Sequence, residues 1–342
     1  MTRALSPRRL PAHLRSLSLL FAILTFLPGA VAAEGFAFLV LSDVPYTAAE
    51  EVQLRERAAP AIRASDAPFV LFLGDFKSGE SSCSDVLFSR RRDEIMALHP
   101  GRVFYSPGDN DWTDCDRADI PEPASELERL DFLRNIFFAA PPDLPAEWRF
   151  ARQPLFPENM RWHYGGVVFL TLHMVSTDNG RKEILLDDEE LALALVDARD
   201  RANLLWLEAA FTEAEKIGAG AIVIGAQADV TQHQSDMPCG PHRREGCDAF
   251  AAFRLKLRHL AAKFARPVLL VHGDTNPYCL DKAFGGAAAP KLWRLNSTGD
   301  FALVDAAEVW VNPNDAAAPF SVISLTEKKP PQEGCGAGHS PH

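Results

Sequence analysis

Short runs of consecutive apolar residues alternate along most of the chain with stretches in which apolar residues recur every three or four positions. The continuous runs are typical of strands buried on both faces, and they lie at 36–43, 68–75, 102–109, 221–226 and 267–274. The amphipathic spacing predicts helices over 47–64, 85–98, 125–138, 188–216 and 249–264. Such alternation is typical of an α/β fold.

The second half of the chain is richer in strand patterns. Residues 161–173 predict a hairpin around Gly165 and Gly166, and later strands are predicted within 291–296, 301–311 and 320–327. Because no repeat, heptad or linker interrupts the pattern, we expect one domain over residues 34–328 and a flexible polar tail over 329–342.

The first 33 residues have the pattern of a secretory signal peptide. Arginines precede an apolar run from Leu17 to Leu27, and the small residues Ala30 to Ala33 follow as a cleavage site. The run is roughly half of the ~20 apolar residues needed to cross a membrane. We therefore expect an exported protein, periplasmic or extracellular, without stable membrane insertion.

Six cysteines follow this segment, none in a close Cys-x-x-Cys pair, which favours disulfides over a zinc site. Six cysteines allow 15 pairings. Cys239 and Cys247 would close a short loop, Cys83 and Cys115 could join two loops that follow strands, and elimination leaves Cys279 with Cys335.

The charge of the chain is acidic, with 35 basic and 46 acidic residues among 342 and a net charge of −11. Four of the basic residues lie in the first 33 positions, so the rest carries 31 basic against 46 acidic residues, a net charge of −15. This charge repels polyanions and argues against nucleic-acid binding. The serine-hydrolase motif Gly-x-Ser-x-Gly and the phosphate-binding loop of nucleotide hydrolases are both absent.

Four of the predicted buried strands end in an aspartate: Asp43, Asp75, Asp109 and Asp274. Ligand sites of open α/β sheets lie at the carboxyl ends of the strands, so these side chains are expected to converge. A single aspartate after a strand is most simply a turn or cap residue. Four at equivalent positions favour a bound cation, because crowded carboxylates are costly without one.

The order of these motifs resembles that of the calcineurin-like metallophosphoesterase family. That family carries Asp-x-His, Gly-Asp, Gly-Asn-His-Asp/Glu, a lone His after a strand, and Gly-His-x-His. The corresponding tracts here are 43–45, 74–75, 108–111, position 227 and 273–276, and PGDNDWTDC is similar to that of a bacterial exported subgroup. The resemblance covers residues 36 to 277 and implies a two-sheet β-sandwich flanked by helices.

The resemblance also implies two metals that share the place of Asp75, although all five family histidines are replaced. The first metal would otherwise be held at the places of Asp43, Pro45 and Asn276, and the second at those of Asp109, Gln227 and Asp274. All of these except Pro45 keep an oxygen that can coordinate, which suits Mg²⁺, Mn²⁺ or Ca²⁺. The loss at Pro45 favours one ion over two.

Two functions follow as hypotheses. The first is an exported hydrolase that cleaves a small phosphorylated substrate with metal-activated water, its metal shell formed by Asp43, Asp75, Asp109, Gln227, Asp274 and Asn276. Asn110, in the place of the catalytic histidine, would steady the phosphate, and Asp111 is a weak candidate for the proton donor that more simply braces its own loop. The alternative is an inactive domain of the same fold that binds a ligand or partner. Lys77 is expected on the surface.

Overall fold

The computed structural model describes residues 1–4, 35–232, 235–315 and 317–336. The chain divides into two units, Met1–Ala32 and Ala33–His342. From residue 5 onward the predicted signal peptide lies outside the described residues, and the elements named below all belong to the second unit.

The second unit consists of strands and helices in mixed order. Its strands are, in chain order, β1 (Phe36–Leu41), β2 (Val70–Phe72), β3 (Val103–Tyr105), β4 (Ala151–Arg152), β5 (Met160–Tyr164), β6 (Val167–Thr171), β7 (Ala221–Gly225), β8 (Val268–His272), β9 (Cys279–Asp281), β10 (Leu292–Asn296), β11 (Ala307–Val311), β12 (Phe320–Ser324) and β13 (Gln332–Glu333). Its helices are α1 (Ala48–Gln53), α2 (Ala59–Ala64), α3 (Asp85–Met96), α4 (Glu126–Phe137), the short turn α5 (Ser176–Gly180), α6 (Glu189–Ile217) and α7 (Ala251–Phe264).

The described strands form two sheets. The first has the order β12-β11-β1-β2-β3, in which β1, β2 and β3 run parallel. The second has the order β13-β9-β10-β8-β7-β6-β5-β4, with a parallel centre formed by β10, β8, β7 and β6. Parallel neighbours bring their carboxyl ends to the same edge of a sheet, which is where the site lies.

The two sheets pack face to face over an aromatic core. The ring of Phe69 lies 4.9 Å from that of Phe169, and Phe38 lies 5.2 Å from the same ring. In β6, Phe169 faces this core, whereas Val168 and Leu170 belong to a second cluster with residues of α6 and α7. Since successive side chains of a strand point to opposite faces, the sheet is covered on both sides. The predicted α/β architecture of two sheets flanked by helices is confirmed.

The helices differ from the predicted boundaries mainly at the first one. The predicted helix over 47–64 is interrupted by a π-helical turn, Leu54–Ala58, between α1 and α2. Pro60 follows this turn and has no N–H to donate to the carbonyl of Glu56, so regular helical hydrogen bonding cannot continue there. Among the described residues, no helix is long and apolar enough to cross a membrane.

Three disulfides pair as the sequence suggested: Cys83 with Cys115, Cys239 with Cys247, and Cys279 with Cys335. One cysteine of the last disulfide lies within the predicted flexible tail over 329–342. Gln332–Glu333 pairs with β9, and Cys335 is bonded two residues later, so the chain is tethered to the sheet as far as that cysteine. Residues 337–342 lie outside the described residues.

Removal of each disulfide should destabilise the fold in the order of the loop that it closes. The sequence separations are 56, 32 and 8 residues, for which the chain-entropy relation gives roughly 4.2, 3.7 and 2.5 kcal/mol. The measurement is urea unfolding of three double Cys→Ala variants. A loss for the Cys239–Cys247 pair that exceeded the other two would contradict this order.

Candidate functional site

The four aspartates that follow β1, β2, β3 and β8 meet where the two sheets come together. The backbone N–H of Asp274 donates to both carboxylate oxygens of Asp43, at 3.0 Å each. Asp75 and Asp109 lie beside this pair, and all four side chains are buried. The structure thus brings together the aspartates whose convergence the strand ends predict.

Three of these aspartates have a left-handed backbone conformation, which is uncommon for residues other than glycine. The φ angles of Asp43, Asp75 and Asp274 are 54°, 58° and 73°. Left-handed backbone costs an L-residue roughly 1–2 kcal/mol. Strain of this kind at three strand ends is typical of a functional site, where the surrounding structure holds the residue in place.

The glycine before two of the aspartates is required by close packing. A Cβ atom at Gly108 would lie 2.0 Å from Oδ1 of Asp75, and one at Gly273 would lie 2.0 Å from Oδ2 of Asp43. Any side chain at these two positions would therefore push the carboxylates apart. The Gly-Asp pairs in the sequence allow backbone and carboxylate to approach each other.

Gln227 lies among three of the carboxylates. Its Nε2 donates to Oδ2 of Asp75 at 2.8 Å, to Oδ1 of Asp109 at 3.0 Å and to Oδ1 of Asp274 at 3.4 Å. Its Oε1 accepts a hydrogen bond from the backbone N–H of Ser176 at 3.1 Å. Because the N–H of Ser176 can only donate, it sets the orientation of the amide and directs the NH₂ group at the carboxylates.

Tyr46 takes a similar position between Asp43, the fourth carboxylate, and Asp75. Its hydroxyl lies 3.1 Å from Oδ1 of Asp43 and 3.2 Å from Oδ2 of Asp75. Oδ2 of Asp75 therefore accepts from both Tyr46 and Gln227 and joins the two halves of the cluster. Neutral hydrogen-bond donors lie at both points on which the carboxylate oxygens converge.

The second oxygen of Asp109 is held by α5, a turn of left-handed backbone. Ser176 Oγ and Thr177 Oγ1 contact Oδ2 of Asp109 at 2.5 and 3.1 Å. Thr177, Asp178 and Asn179 all have positive φ, between 54° and 61°. This strained turn supplies two hydroxyl donors and, through Ser176, the N–H that orients Gln227.

Asp111 stabilises the loops that carry the cluster and does not line the cavity. Its Oδ2 accepts from Asp75 N at 3.0 Å, Gly108 N at 2.9 Å and Tyr105 Oη at 2.8 Å, while its Oδ1 accepts from Phe76 N at 3.0 Å. With both oxygens occupied, the contacts favour the bracing role over proton donation. Asn110 lines the cavity, and its backbone N–H donates to Asp75.

The side chain of Asn276 hydrogen-bonds to Asp300. Its Nδ2 donates to the carbonyl and to Oδ2 of Asp300, at 2.9 and 2.7 Å. Pro45, in the place of a family histidine, follows a cis peptide bond. Of the predicted metal shell, the structure therefore gathers Asp43, Asp75, Asp109, Gln227 and Asp274, and gives Asn276 a different partner.

Lys77 is buried and not on the surface, contrary to expectation. It is 1% exposed, and its Nζ donates to the carbonyl of Ser78 at 3.1 Å. Burial lowers its pKa, an effect opposed by the charges of Asp114 and Asp111. Its proximity to the acidic loops accounts for the burial of a charged side chain that the sequence could not predict.

A cavity of about 680 Å³ opens over the cluster. Its acidic lining residues are Asp75, Glu80, Asp109, Asp114, Asp119, Glu183, Asp274 and Asp300. Among the described residues that line it, Arg117 alone carries a positive charge, and this guanidinium is already paired with Asp114 at 2.8 Å and Glu183 at 2.9 Å. We call this space the acidic pocket.

Burial raises the pKa of several carboxyl groups in and around the acidic pocket. It raises the pKa of Asp43 to about 7, against the lowering effect of its hydrogen bonds. Burial, and then the charge of Asp109, raises the pKa of Asp114 to about 8 and those of Asp75 and Asp274 well above the usual range. The carboxylates are therefore short of positive charge at neutral pH.

The residues as arranged do not fit a metal ion. Among the described residues, no group of three or more His, Cys, Asp or Glu side chains is placed to hold one. A hard cation needs its oxygens at about 2.0–2.6 Å, but Tyr46 Oη and Gln227 Nε2 lie between the oxygens that would have to converge. The metal shell remains a prediction that requires both side chains to move.

Comparison of the chain with protein-family models and with curated proteins found no match. Among solved structures, TT1561 of Thermus thermophilus is 13% identical, with a TM-score of 0.41 and coverage of 85% of this chain and 100% of that one. PhoD is 12% identical, with a TM-score of 0.40 and coverage of 86% and 70%. GAP50, the anchor in the inner membrane complex of Plasmodium, is 11% identical, with a TM-score of 0.43 and coverage of 89% and 90%. The roles assigned to residues of this chain come from its own contacts.

Several residues of the site carry no signal in the sequence. Tyr46, Ser176 and Thr177 contact the aspartates, but none belongs to a motif with a known spacing. Asp300 reaches the pocket from a loop more than twenty residues after Asp274. Only the tertiary contact between loops of both sheets brings these side chains together.

The free energy of unfolding should fall as the pH rises from about 5 to 8. The folded-state pKa of Asp111 is about 6, of Asp43 about 7, and of Asp114 and Asp300 about 8. An unfolded aspartate has a pKa of about 3.9, so in this window the folded state binds more protons, and raising the pH favours unfolding.

The measurement is urea unfolding at several pH values in the presence of EDTA, with Asp300→Asn as a variant expected to give a shallower slope and Asp66→Asn, at an exposed position, as the control. Stability that stays constant or rises up to pH 8 would contradict this prediction.

Proposed function

We propose that this chain binds a positively charged organic ligand in its acidic pocket and does not hydrolyse phosphate esters. The observation that carries the proposal is the Gln227 amide, which donates to Asp75, Asp109 and Asp274. A neutral donor at that point stabilises carboxylates without supplying a Lewis acid to activate water. In this proposal the chain has the two-sheet fold of a hydrolase, but its pocket binds the cationic ligand without catalysis.

The charge of the pocket supports a cationic ligand. Eight carboxyl groups line it against one arginine, and that arginine already has two acidic partners. Opposite charges 4 Å apart attract by about 4 kcal/mol near a protein surface, and like charges repel equally. Without bound metal, a phosphorylated substrate is repelled where an ammonium or guanidinium group is attracted.

Two aromatic rings at the pocket support an organic cation in particular. Phe301 lines the pocket and is 47% exposed, and its ring lies 4.7 Å from that of Tyr46. An ammonium or guanidinium group over such a ring gains cation–π attraction in addition to its charge pairing. Polyamines and arginine- or lysine-containing peptides have this chemistry.

The protein is proposed to act outside the cytoplasm. The signal-peptide pattern of the first 33 residues and three disulfides support export, because disulfides persist in oxidising compartments. The ligand is then met in the periplasm or outside the cell.

The second candidate is the metal-dependent phosphoesterase that the sequence resemblance implies. The observation in its favour is the position of Asp75. Its Oδ2 lies within hydrogen-bond distance of both Tyr46 Oη and Gln227 Nε2. Two cations in the places of these two donors would share this carboxylate. Asp43, Asp75, Asp109, Gln227, Asp274 and Asn276 would hold Mg²⁺, Mn²⁺ or Ca²⁺, and Asn110 would steady the phosphate. When bound, the ion would polarise the phosphoryl group and activate water. Gln227 would first have to turn its oxygen inward and give up its contact with Ser176.

Titration calorimetry on the oxidised mature chain separates the two candidates. After dialysis against EDTA, we expect spermidine and an arginine-containing tripeptide to bind, more weakly as salt rises, and succinate not to bind. Asp109→Asn should weaken binding by removing a pocket charge, and Asp66→Asn should not. Aryl-phosphate turnover should be absent with added Mg²⁺, Mn²⁺, Ca²⁺ or Zn²⁺. Metal-stimulated turnover that disappears in Asp75→Asn would establish the second candidate.

Gln227→Glu should make the fold depend on divalent cations. The variant replaces the NH₂ donor by a carboxylate, which joins those of Asp75, Asp109 and Asp274. This unpaired buried charge should lower the free energy of unfolding by about 3–5 kcal/mol. Added Ca²⁺ or Mg²⁺ should restore the variant and leave the wild type unchanged, as measured by thermal unfolding with and without EDTA. Gln53→Glu, on an exposed position of α1, is the control. Equal stabilisation of wild type and variant by cations would overturn the role given to Gln227.

A further inference from the structure

A second open cavity, of about 590 Å³, adjoins the acidic pocket. Glu183 lines both spaces. One wall of the second cavity is formed by residues within 178–189, and the other by residues 244–247, which belong to the loop closed by the disulfide between Cys239 and Cys247. We call this space the side groove. A ligand in the acidic pocket that extends past Glu183 enters it directly.

The charge left free in the side groove is negative. Three basic side chains line it, but each already has an acidic partner: Arg181 with Asp197, Lys182 with Asp178, and Arg244 with Glu190, at 2.9, 3.3 and 2.9 Å. Glu189 and Glu245 also line it and form no ion pair among the described residues. The side groove therefore has the same sign of charge as the acidic pocket, and it favours a basic chain over an acidic one.

Four leucines that follow Glu183 within twelve positions are exposed to solvent. Leu185, Leu186, Leu191 and Leu195 are 57%, 55%, 53% and 45% exposed. Leu185 lines the side groove itself, and Leu191 and Leu195 lie one turn apart on the same face of α6. Single exposed leucines are ordinary, but several beside one groove indicate a surface that binds apolar groups.

The first two of these leucines are fixed from the inner side of their loop. The backbone N–H groups of Leu185 and Leu186 both donate to Oδ2 of Asp116, at 2.5 and 3.1 Å. Asp116 is 1% exposed and follows Cys115, which is bonded to Cys83. Because these contacts hold the loop in place, a ligand that packs on the two leucines does not have to order the loop first.

The distance from the acidic pocket to the leucines fits a short extended peptide. Consecutive Cα atoms are 3.8 Å apart, so the Cα atoms of Leu185 and Leu186 lie within about 8 and 11 Å of that of Glu183. An extended peptide advances by about 3.3–3.6 Å per residue. When a basic residue lies beside Glu183, residues two or three positions away in the peptide therefore reach the leucines.

We infer that the ligand of the acidic pocket is a peptide segment in which apolar residues lie within three positions of an arginine or lysine. The basic side chain lies in the acidic pocket, and the apolar residues pack on Leu185 and Leu186 at the side groove. The inference rests on the proposed cation-binding function and narrows it, because a polyamine would satisfy the pocket and leave the leucines exposed.

Calorimetry on the oxidised protein, dialysed against EDTA, tests the ligand class with three peptides capped at both ends. They are acetyl-Arg-Ser-Leu-Leu-amide, acetyl-Arg-Ser-Ser-Ser-amide and acetyl-Gln-Ser-Leu-Leu-amide. The first should bind at least tenfold more tightly than the second, because its leucine side chains leave water. It should also bind at least tenfold more tightly than the third, which lacks the charge. Spermidine should displace the first peptide, since both place a cation in the acidic pocket.

The double variant Leu185→Ser with Leu186→Ser should weaken binding of the leucine-containing arginine peptide tenfold or more, to the level of the serine peptide. Binding of spermidine should be unchanged. Both side chains are exposed, so we expect the unfolding temperature of the wild type, which is measured alongside. Leu205→Ser, at a 66% exposed position farther along α6, is the matched control and should bind every probe like the wild type.

The results separate this inference from the proposed function. If spermidine and the arginine–serine peptide bind but the leucines add nothing, the inference is overturned and the proposed function stands. The inference is also overturned if the double variant keeps its preference for the leucine peptide, if the glutamine peptide binds as tightly as the arginine peptide, or if spermidine does not compete. If no basic probe binds, the proposed function fails, and this inference fails with it.

Discussion

The crowding of four buried carboxylates at the ends of parallel strands is the constraint on which the rest of the structure depends. Asp43, Asp75, Asp109 and Asp274 repel one another, and burial adds to that cost. The surroundings compensate with hydrogen bonds from Gln227, Tyr46 and the turn α5. Strained φ angles and the glycines before two of the aspartates then follow from the need to bring backbone and carboxylates so close.

Neutral donors and metal ions are two solutions to the same electrostatic problem, but their chemical consequences differ. A cation would neutralise the carboxylates, attract a phosphate and activate water. Hydrogen bonds from Gln227 and Tyr46 hold the carboxyl groups in place without adding positive charge, and burial raises the pKa of Asp43 to about 7 and that of Asp114 to about 8. A bound cation would displace protons from these groups and pair with the carboxylates, so a pocket lined by them selects cationic ligands. The choice between the two solutions therefore decides whether the domain hydrolyses or binds.

Much of the fold could be predicted from the sequence because its signals are local. The buried runs around β1, β2, β3, β7 and β8 are continuous and apolar, and the amphipathic spacing of α6 persists over its 29 residues. The short strands β9 and β13 could not be predicted, because two or three residues are too few to show an alternating pattern.

The residues of the site also divide into those with a local signal in the sequence and those without one. Asp43, Asp75, Asp109 and Asp274 are recognisable because each follows a strand, and Gln227 because it follows β7. What the Gln227 amide does could not be predicted, since its orientation is set by the N–H of Ser176, fifty-one positions away in the sequence. The burial of Lys77 was missed for the same reason: its acidic neighbours come from a different loop.

The central claim is that the Gln227 amide stands where a cation would otherwise lie. A crystal structure of the protein soaked in MnCl₂, with anomalous diffraction recorded at a wavelength suited to manganese, tests it most directly. We predict no anomalous peak among Asp75, Asp109 and Asp274, with the Gln227 NH₂ group within hydrogen-bond distance of all three. A manganese peak at that point, with the Gln227 amide turned away from Ser176 or displaced, would contradict the account.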